Sequence, residues 1–367
     1  MRLSVPTGQF LSEYWQQRPL FCPQALPGFK PPLTPDELAG LAMEPSAESR
    51  MVWQHAGSWQ QQCGPFAEDA FHKPAPWTLL VQGVDHWHSE VAALRQSLPP
   101  IPSWRFDDIM VSYATDGAGV GPHFDRYDVF LVQGQGQREW RLGPTCDDNT
   151  PQLQENGLSL IPPFEAEETF VLEPGDVLYV PPGVAHWGIA RGESMTFSLG
   201  YRAPRIADLL ARQIDVVLAK LAPQLLLEDG FLAPTGARAG EIAADHIANA
   251  RAALQNAIEA LDDCTWLGEV VTEVPAPEDQ DDLYPIAPVA GDSVRLNPAS
   301  RVAWMEKADA IDVFVDGEHR SVPLNAIRSV IPLCEGQWMT QKALREDAPE
   351  LYEYLEERNA LTDEDAS

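Results

Sequence analysis

Residues 173–188 read EPGDVLYVPPGVAHWG. Pro174-Gly175-Asp176 and Pro181-Pro182-Gly183 are turn signals, and between them lies a short apolar run rich in valine, leucine and tyrosine. A strand this short, closed by turn residues at both ends, fits an antiparallel all-β architecture, not one in which strands alternate with long helices. The neighbourhood repeats the pattern. Strands are predicted over Asp107–Thr115, Tyr127–Gln133, Gln137–Leu142, Thr169–Leu172, Asp176–Val180 and Ser194–Tyr201. Many short strands with Gly/Pro turns predict a barrel or jelly roll.

The same stretch ends in a histidine. His186 follows a rigid Pro-Pro-Gly turn, which fixes where the next residues point. Upstream, residues 117–125 read GAGVGPHFD, placing His123 and Asp125 two apart. On a strand, residues i and i+2 share a face, so an imidazole and a carboxylate can reach one point inside a barrel. Two histidines and one carboxylate form the facial triad of non-haem Fe(II) oxygenases, which leaves positions open for substrate and dioxygen. A structural zinc site would instead close with a fourth protein ligand. An isolated H-x-D is a weak motif, but here it follows a glycine-rich bend, sits among strands and has a partner histidine behind a second strand. The glycine run lacks the Gly-Lys-Ser/Thr ending of a phosphate-binding loop.

Around this centre the chain divides. It has 367 residues, enough for about two or three domains. Thr34-Pro35-Asp36-Glu37 opens a helix with a capping box, and a second helix is predicted over Ser89–Leu98. After Arg205 the period becomes helical. Ile206, Leu209, Leu210, Val217, Leu218 and Leu221 form one stripe, and Ala243, Ile247, Ala250, Leu254, Ile258 and Leu261 another. These stripes are packing faces of a helical hairpin or the seam of a homodimer. An acidic linker is expected over 275–282, followed by a small α+β region: strands Arg301–Glu306 and Ile311–Val315, a turn at Asp316-Gly317, and helices Leu324–Ile331 and Pro349–Leu361. The last acidic residues are expected to fray.

Composition excludes several classes. Asp and Glu number 55 against 25 Lys and Arg, a net charge of −30, which argues against nucleic-acid binding through a basic surface and fits a basic partner or simply solubility. Five scattered cysteines without C-x-x-C indicate neither a disulfide framework nor a cysteine zinc site. No signal peptide and no apolar run long enough for a bilayer are evident, so the expected location is cytoplasmic, with no membrane partner.

Other candidate residues carry less. His86 and His88 lie at a helix start, where i and i+2 do not share a face, and are read as packing or capping groups. His55, His72, His246 and His319 lack partners at ligand spacing. Asp116 and Tyr127 are candidates for the substrate mouth or plain turn and strand residues, and Ser198 is a further candidate facing the barrel interior.

Taken together, GPHFD, YDVFLVQGQGQREWRLG, EPGDVLYVPPGVAHWG and SLGYRAP resemble the JmjC/cupin-type ribosomal oxygenases, in particular the bacterial enzymes that hydroxylate an arginine of a large-subunit ribosomal protein. DELAGLAME, WTLLVQGVDHWH and WRFDDIMVSY share that resemblance, which is strong over residues 1–205 and weaker beyond. It implies a mainly β fold with α: a double-stranded β-helix (jelly roll) over 1–205, a helical dimerisation module over 206–265, and a winged-helix-like α+β domain over 266–367. It also implies Fe(II) on His123, Asp125 and His186, with Arg138 and Ser112 holding the far carboxylate of 2-oxoglutarate. A guanidinium can grip such a carboxylate bidentately. The implied reaction converts 2-oxoglutarate to succinate and CO2 while a side chain of a basic ribosomal protein is hydroxylated. Other readings are an oxygenase acting on histidine or another protein side chain, a lysine demethylase, or a non-catalytic cupin-like binding module. Against the last stands the presence of His123, Asp125, His186 and Arg138 together.

Overall fold

The computed structural model describes residues 2–73, 76–228, 240–261, 264–274, 289 and 291–363. The expected linker over 275–282, nearly all of the loop 230–240 and the acidic end after 363 fall outside these residues. The chain forms two compact units, one of residues 1–203, 276–300 and 328–367, the other of residues 204–275 and 301–327.

The first unit is built on a nine-stranded antiparallel sheet. Its centre is a pair of long strands, Asp128–Thr145 and Val184–Tyr201, which pair along almost their whole length. The first halves of one lie against the second halves of the other. Asp128 to Gln135 pair with Met195 to Tyr201, and Gln137 to Thr145 with Val184 to Arg191. Register shifts between Arg191 and Thr196 mark where both strands bend. The bend needs glycine: at Gly136 φ is +62°, and a Cβ there would lie 1.9 Å from the Glu193 carbonyl oxygen. Gly134–Gly136 reads as a break in sequence, so two strands were expected where one bent strand runs through. His186 likewise lies inside the Val184–Tyr201 strand and does not merely follow a turn.

Outward from this pair, Val177–Val180 joins Asp128–Thr145, and Leu20–Cys22 closes that edge. All four residues of Val177–Val180 are buried, as expected of a short apolar run covered on both faces. On the other side, Phe106–Ala114 joins Val184–Tyr201, followed by Trp77–Val81, Ser49–His55 and Ser58–Cys63. The last three strands were not expected. Ser58–Cys63 reads SWQQQC and carries no apolar alternation, and its pairing comes from the hairpin with Ser49–His55. Aromatic rings fill the core: Phe10, Phe130 and Tyr179 meet with centroids 5.0–5.9 Å apart. Near the N-terminus, the Thr34 capping box opens the helix Pro35–Leu41 as expected. Ser89–Leu98 splits into a helical turn over Ser89–Ala92 and a tighter one over Ala93–Ser97. The strands Ser293–Leu296, Met339–Thr340 and Leu361–Asp363 form a separate small sheet in this unit.

The second unit holds the helices Ile206–Lys220, Ala244–Leu261 and Thr265–Thr272 and a three-stranded sheet of Val302–Glu306, Ala310–Val315 and Glu318–Pro323. Val315 pairs directly with Glu318, so Asp316-Gly317 is a two-residue hairpin loop, with φ positive at both positions. On Ile206–Lys220 the residues Ile206, Leu210, Ile214 and Leu218 recur every four and point outward, with Ile206 78% and Leu218 60% exposed.

Candidate active site

The two parts of the triad meet through the backbone. His123 and His186 form an isolated antiparallel bridge, with N–H···O distances of 3.1 and 2.8 Å in the two directions. Gly183 of the Pro-Pro-Gly turn donates its N–H to the Asp125 carbonyl at 2.7 Å. The H-x-D segment sits among strands, as expected, but its shared face does not come from a ladder strand: it is an extended loop held by this single bridge and the turn. The outcome for the side chains is the same. His123, Asp125 and His186 each offer one ligand atom, and these atoms lie within 4.8 Å of one another.

The imidazoles are oriented for lone-pair donation. His123 Nδ1 sits 2.9 Å from the Gly121 carbonyl and His186 Nδ1 2.9 Å from the Val184 carbonyl. A carbonyl accepts, so Nδ1 carries the proton in each neutral ring and Nε2 presents its lone pair. The rings stand 4.3 Å apart between centroids, and His186 Nε2 lies 3.5 Å from Asp125 Oδ2. Burial, reinforced by His186, lowers His123 to about 4. Burial alone would raise Asp125 and lower His186; their mutual attraction, added to the other charges and hydrogen bonds around them, outweighs it, so Asp125 sits below the usual carboxylate range and His186 above the usual imidazole one. Tyr127 lies close enough to help lower Asp125.

These groups open onto a cavity of about 320 Å³. Its lining follows strand periodicity: Thr78 and Leu80 from one strand with Gln82 just past its end, Asp108, Met110 and Ser112 from the next, Arg138 and Trp140 from a third, Ser198 from a fourth. Arg138 is 4% exposed. One of its terminal nitrogens donates to Ser112 Oγ at 2.9 Å, while Nε and the other terminal nitrogen have no partner among the described residues. Burial lowers its guanidinium to about 10. The indole N–H of Trp140 and the hydroxyl of Thr78 are also buried without partners. So many unpartnered buried donors beside one cavity require an explanation in a native fold. A dicarboxylate entering the cavity would supply the acceptors.

The remaining sequence candidates separate cleanly. Tyr127 and Ser198 line the cavity; Asp116 does not, and accepts from the Gly192 N–H at 2.7 Å in a turn. His55, His72, His86, His88, His246 and His319 are not among its lining residues. Sequence reasoning missed Asp108. It lines the cavity, and Asp125 is the other lining carboxylate. Burial, with Asp85 and Asp107 close by, raises Asp108 to about 6, against the pull of the Gly83 N–H at 2.9 Å and the Gln82 amide at 2.6 Å.

A jelly roll with a His–Asp–His cluster at a cavity and a buried arginine inside it defines a cupin-type metal and oxo-acid site. Residues 93–209 match the JmjC domain family. The chain is 42% identical over 223 residues to the Escherichia coli (strain K12) ribosomal protein uL16 3-hydroxylase, and 38% identical over 204 residues to a probable ribosomal oxygenase of Haemophilus influenzae. These alignments take in 60% and 55% of this chain and 58% and 50% of the two relatives, so the chain spans a little over half the length of the curated relatives it matches. Solved structures of the Escherichia coli ribosomal oxygenase YcfD superpose over 98% of both chains at 31% identity, with a TM-score of 0.79 for one and 0.77 for another in complex with cobalt and 2-oxoglutarate. The chain belongs to the JmjC-domain ribosomal oxygenases.

Proposed function

We propose that the protein is an Fe(II)- and 2-oxoglutarate-dependent oxygenase that hydroxylates an arginine side chain of a large-subunit ribosomal protein. The observation that carries this reading is Arg138, a buried cation with no acidic partner, in the same cavity as His123, Asp125 and His186. The triad would hold the metal through two Nε2 atoms and one carboxylate oxygen. Arg138 and Ser112 would hold the far carboxylate of the co-substrate. Iron and 2-oxoglutarate, when bound, supply the oxidation that inserts one atom of dioxygen into a C–H bond and leaves succinate and CO2. The protein's own part is positioning and exclusion of water. A YcfD structure holding cobalt and 2-oxoglutarate supports the cofactor assignment.

Asp108 favours arginine over a neutral target. A guanidinium entering this cavity needs an anion that is not already a metal ligand, and Asp108 is the lining carboxylate that meets that condition. Tyr127 and Ser198 offer hydroxyls to the same space. The acidic chain, at −30, suits a basic ribosomal protein and not a nucleic acid. Intact-protein mass spectrometry of ribosomal proteins with and without the enzyme tests the whole reading. The expected result is a gain of one oxygen on one protein, mapped to one arginine; the same gain on a histidine would move the target assignment and leave the chemistry.

Domain roles belong to the same reading. Residues 1–205 are the catalytic domain, 206–265 the homodimerisation module and 266–367 a winged-helix-like region. The outward stripe Ile206, Leu210, Ile214 and Leu218 supports the seam. Charged substitutions at Leu210 and Leu218 are expected to give monomers in sedimentation, and a wild-type chain that is monomeric at high concentration would refute the seam.

A further inference from the structure

Thr78 lies on the strand Trp77–Val81, and its hydroxyl is buried without a hydrogen-bond partner. Register places it. Thr78 pairs with Ala114 and Leu80 with Ser112, so Thr78 and Ser112 share one face, a diagonal step apart. Ser112 Oγ accepts from Arg138 at 2.9 Å, and Arg138 keeps two nitrogens unpartnered. Of the four unsatisfied donors beside this cavity among the described residues, the Trp140 indole lies against His186, with ring centroids 5.9 Å apart, while the Thr78 hydroxyl and the two Arg138 nitrogens belong to the neighbourhood of Ser112. The lining carboxylates do not serve them: Asp125 faces His186, and Asp108 accepts from Gln82 and Gly83.

Donor accounting narrows the role. A carboxylate presents about four lone-pair sites. The free edge of Arg138 fills two. The Ser112 oxygen already accepts from Arg138, so its own proton is available for a third. One site remains, and a threonine hydroxyl beside Ser112 is suited to it. We propose that Thr78 is a co-substrate-binding residue whose hydroxyl donates to the distal carboxylate of 2-oxoglutarate next to Arg138 and Ser112, an assignment that rests on the proposed function.

The test measures binding without turnover. The full chain is loaded with Co(II) and titrated calorimetrically with 2-oxoglutarate and with 2-oxopentanoate, which has a methyl where the distal carboxylate would be. Thr78→Val keeps the shape and removes the hydroxyl; Thr78→Ser keeps the hydroxyl. Thr78→Val is expected to weaken 2-oxoglutarate by about 10- to 100-fold, the range for a hydrogen bond to a charged group. Binding of 2-oxopentanoate should be unchanged, and Thr78→Ser should restore most of the loss. Unchanged affinity for 2-oxoglutarate in Thr78→Val overturns the assignment, as does equal weakening of both ligands. A fall in the melting temperature of the metal-free variant with no change in affinity also overturns it, by making the hydroxyl structural. A wild-type chain that shows no preference for 2-oxoglutarate over 2-oxopentanoate would instead remove the co-substrate reading itself.

Discussion

The cavity holds two sets of ionisable groups that solve burial in opposite ways. His123, Asp125 and His186 satisfy one another: backbone carbonyls take both Nδ1 protons, and the carboxylate faces His186 at 3.5 Å. Arg138 is more deeply buried than His123 or Asp125, yet among the described residues two of its nitrogens have no partner and no carboxylate acts on it. A buried charge left unpaired is costly, so the fold tolerates at Arg138 what it avoids at the triad. Under the proposed function, the difference separates a ligand set organised in advance from a pocket that an anion from outside would complete.

Removing the organised set should have the largest effect. His123→Ala, Asp125→Ala and His186→Ala are each expected to reduce turnover to background and to lower bound iron. The barrel should survive, because its core is the aromatic and aliphatic cluster around Phe10, Phe130 and Tyr179, not the cavity mouth. Iron content and thermal melting measured on the same samples check both halves. Full activity in any one variant would break the triad assignment.

Arg138 should respond differently, and here the contrast sharpens. Arg138→Lys is expected to raise the KM for 2-oxoglutarate by roughly 10- to 100-fold, because one mobile ammonium replaces a planar fork. Arg138→Met should cost more, since the co-substrate carboxylate would be desolvated without a cation. Stability should move the other way. Replacing a buried, half-satisfied guanidinium by an apolar chain of similar length is expected to leave the ligand-free protein equally stable or more stable by about 1–3 kcal/mol. Succinate formation against 2-oxoglutarate concentration, and melting without co-substrate, read the two effects. An unchanged KM in Arg138→Met would place the carboxylate on another cation.

The sequence made the organised set far more visible than the open one. His123, Asp125 and His186 carry rare residue types at ligand spacing and sit beside glycine and proline turns, so their chemistry shows in one dimension. Arg138 has no such mark. In sequence it is one arginine among the polar residues of QGQGQREWR, and it was singled out only through the family resemblance. Thr78, Asp108 and Trp140 were missed because their roles come from cross-strand register. Thr78 meets the cavity only because Trp77–Val81 pairs with Phe106–Ala114. Turn residues do bound the N-terminal strands, at Gly57, Gly64-Pro65, Pro76 and Gly83, but Ser58–Cys63 lacks apolar alternation and Trp77–Val81 is a short apolar run that periodicity does not separate from a buried helix. The bent strands Asp128–Thr145 and Val184–Tyr201 were under-read for a related reason. Glycines at a bulge look like an end in sequence, while in space they let the strand continue around the corner.

Asp108 stands between the two sets, and the smallest predicted effect concerns its charge. Its carboxyl is raised to about 6 by burial and by Asp85 and Asp107. If it receives the target guanidinium, only its ionised form should bind well. Affinity for an arginine peptide should then fall as pH drops through about 6, and Asp108→Asn should be weaker by roughly 10-fold at pH 8 with a flatter profile. The affinity for 2-oxoglutarate should stay as in the wild type, because Asp108 is not assigned to that ligand. Stability follows with the opposite sign. Between its usual value of 3.8 and about 6, the folded chain holds a proton on Asp108 that the unfolded chain has released. Stability therefore declines as pH rises across that window, and Asp108→Asn should show a shallower decline, with Asp85, raised to about 7, supplying the rest. Peptide binding to the Co(II)-loaded protein between pH 5 and pH 8, with denaturant melts at the same points, decides the matter. A peptide affinity that ignores both pH and the Asn substitution would return Asp108 to a purely structural role and leave the guanidinium without its proposed partner.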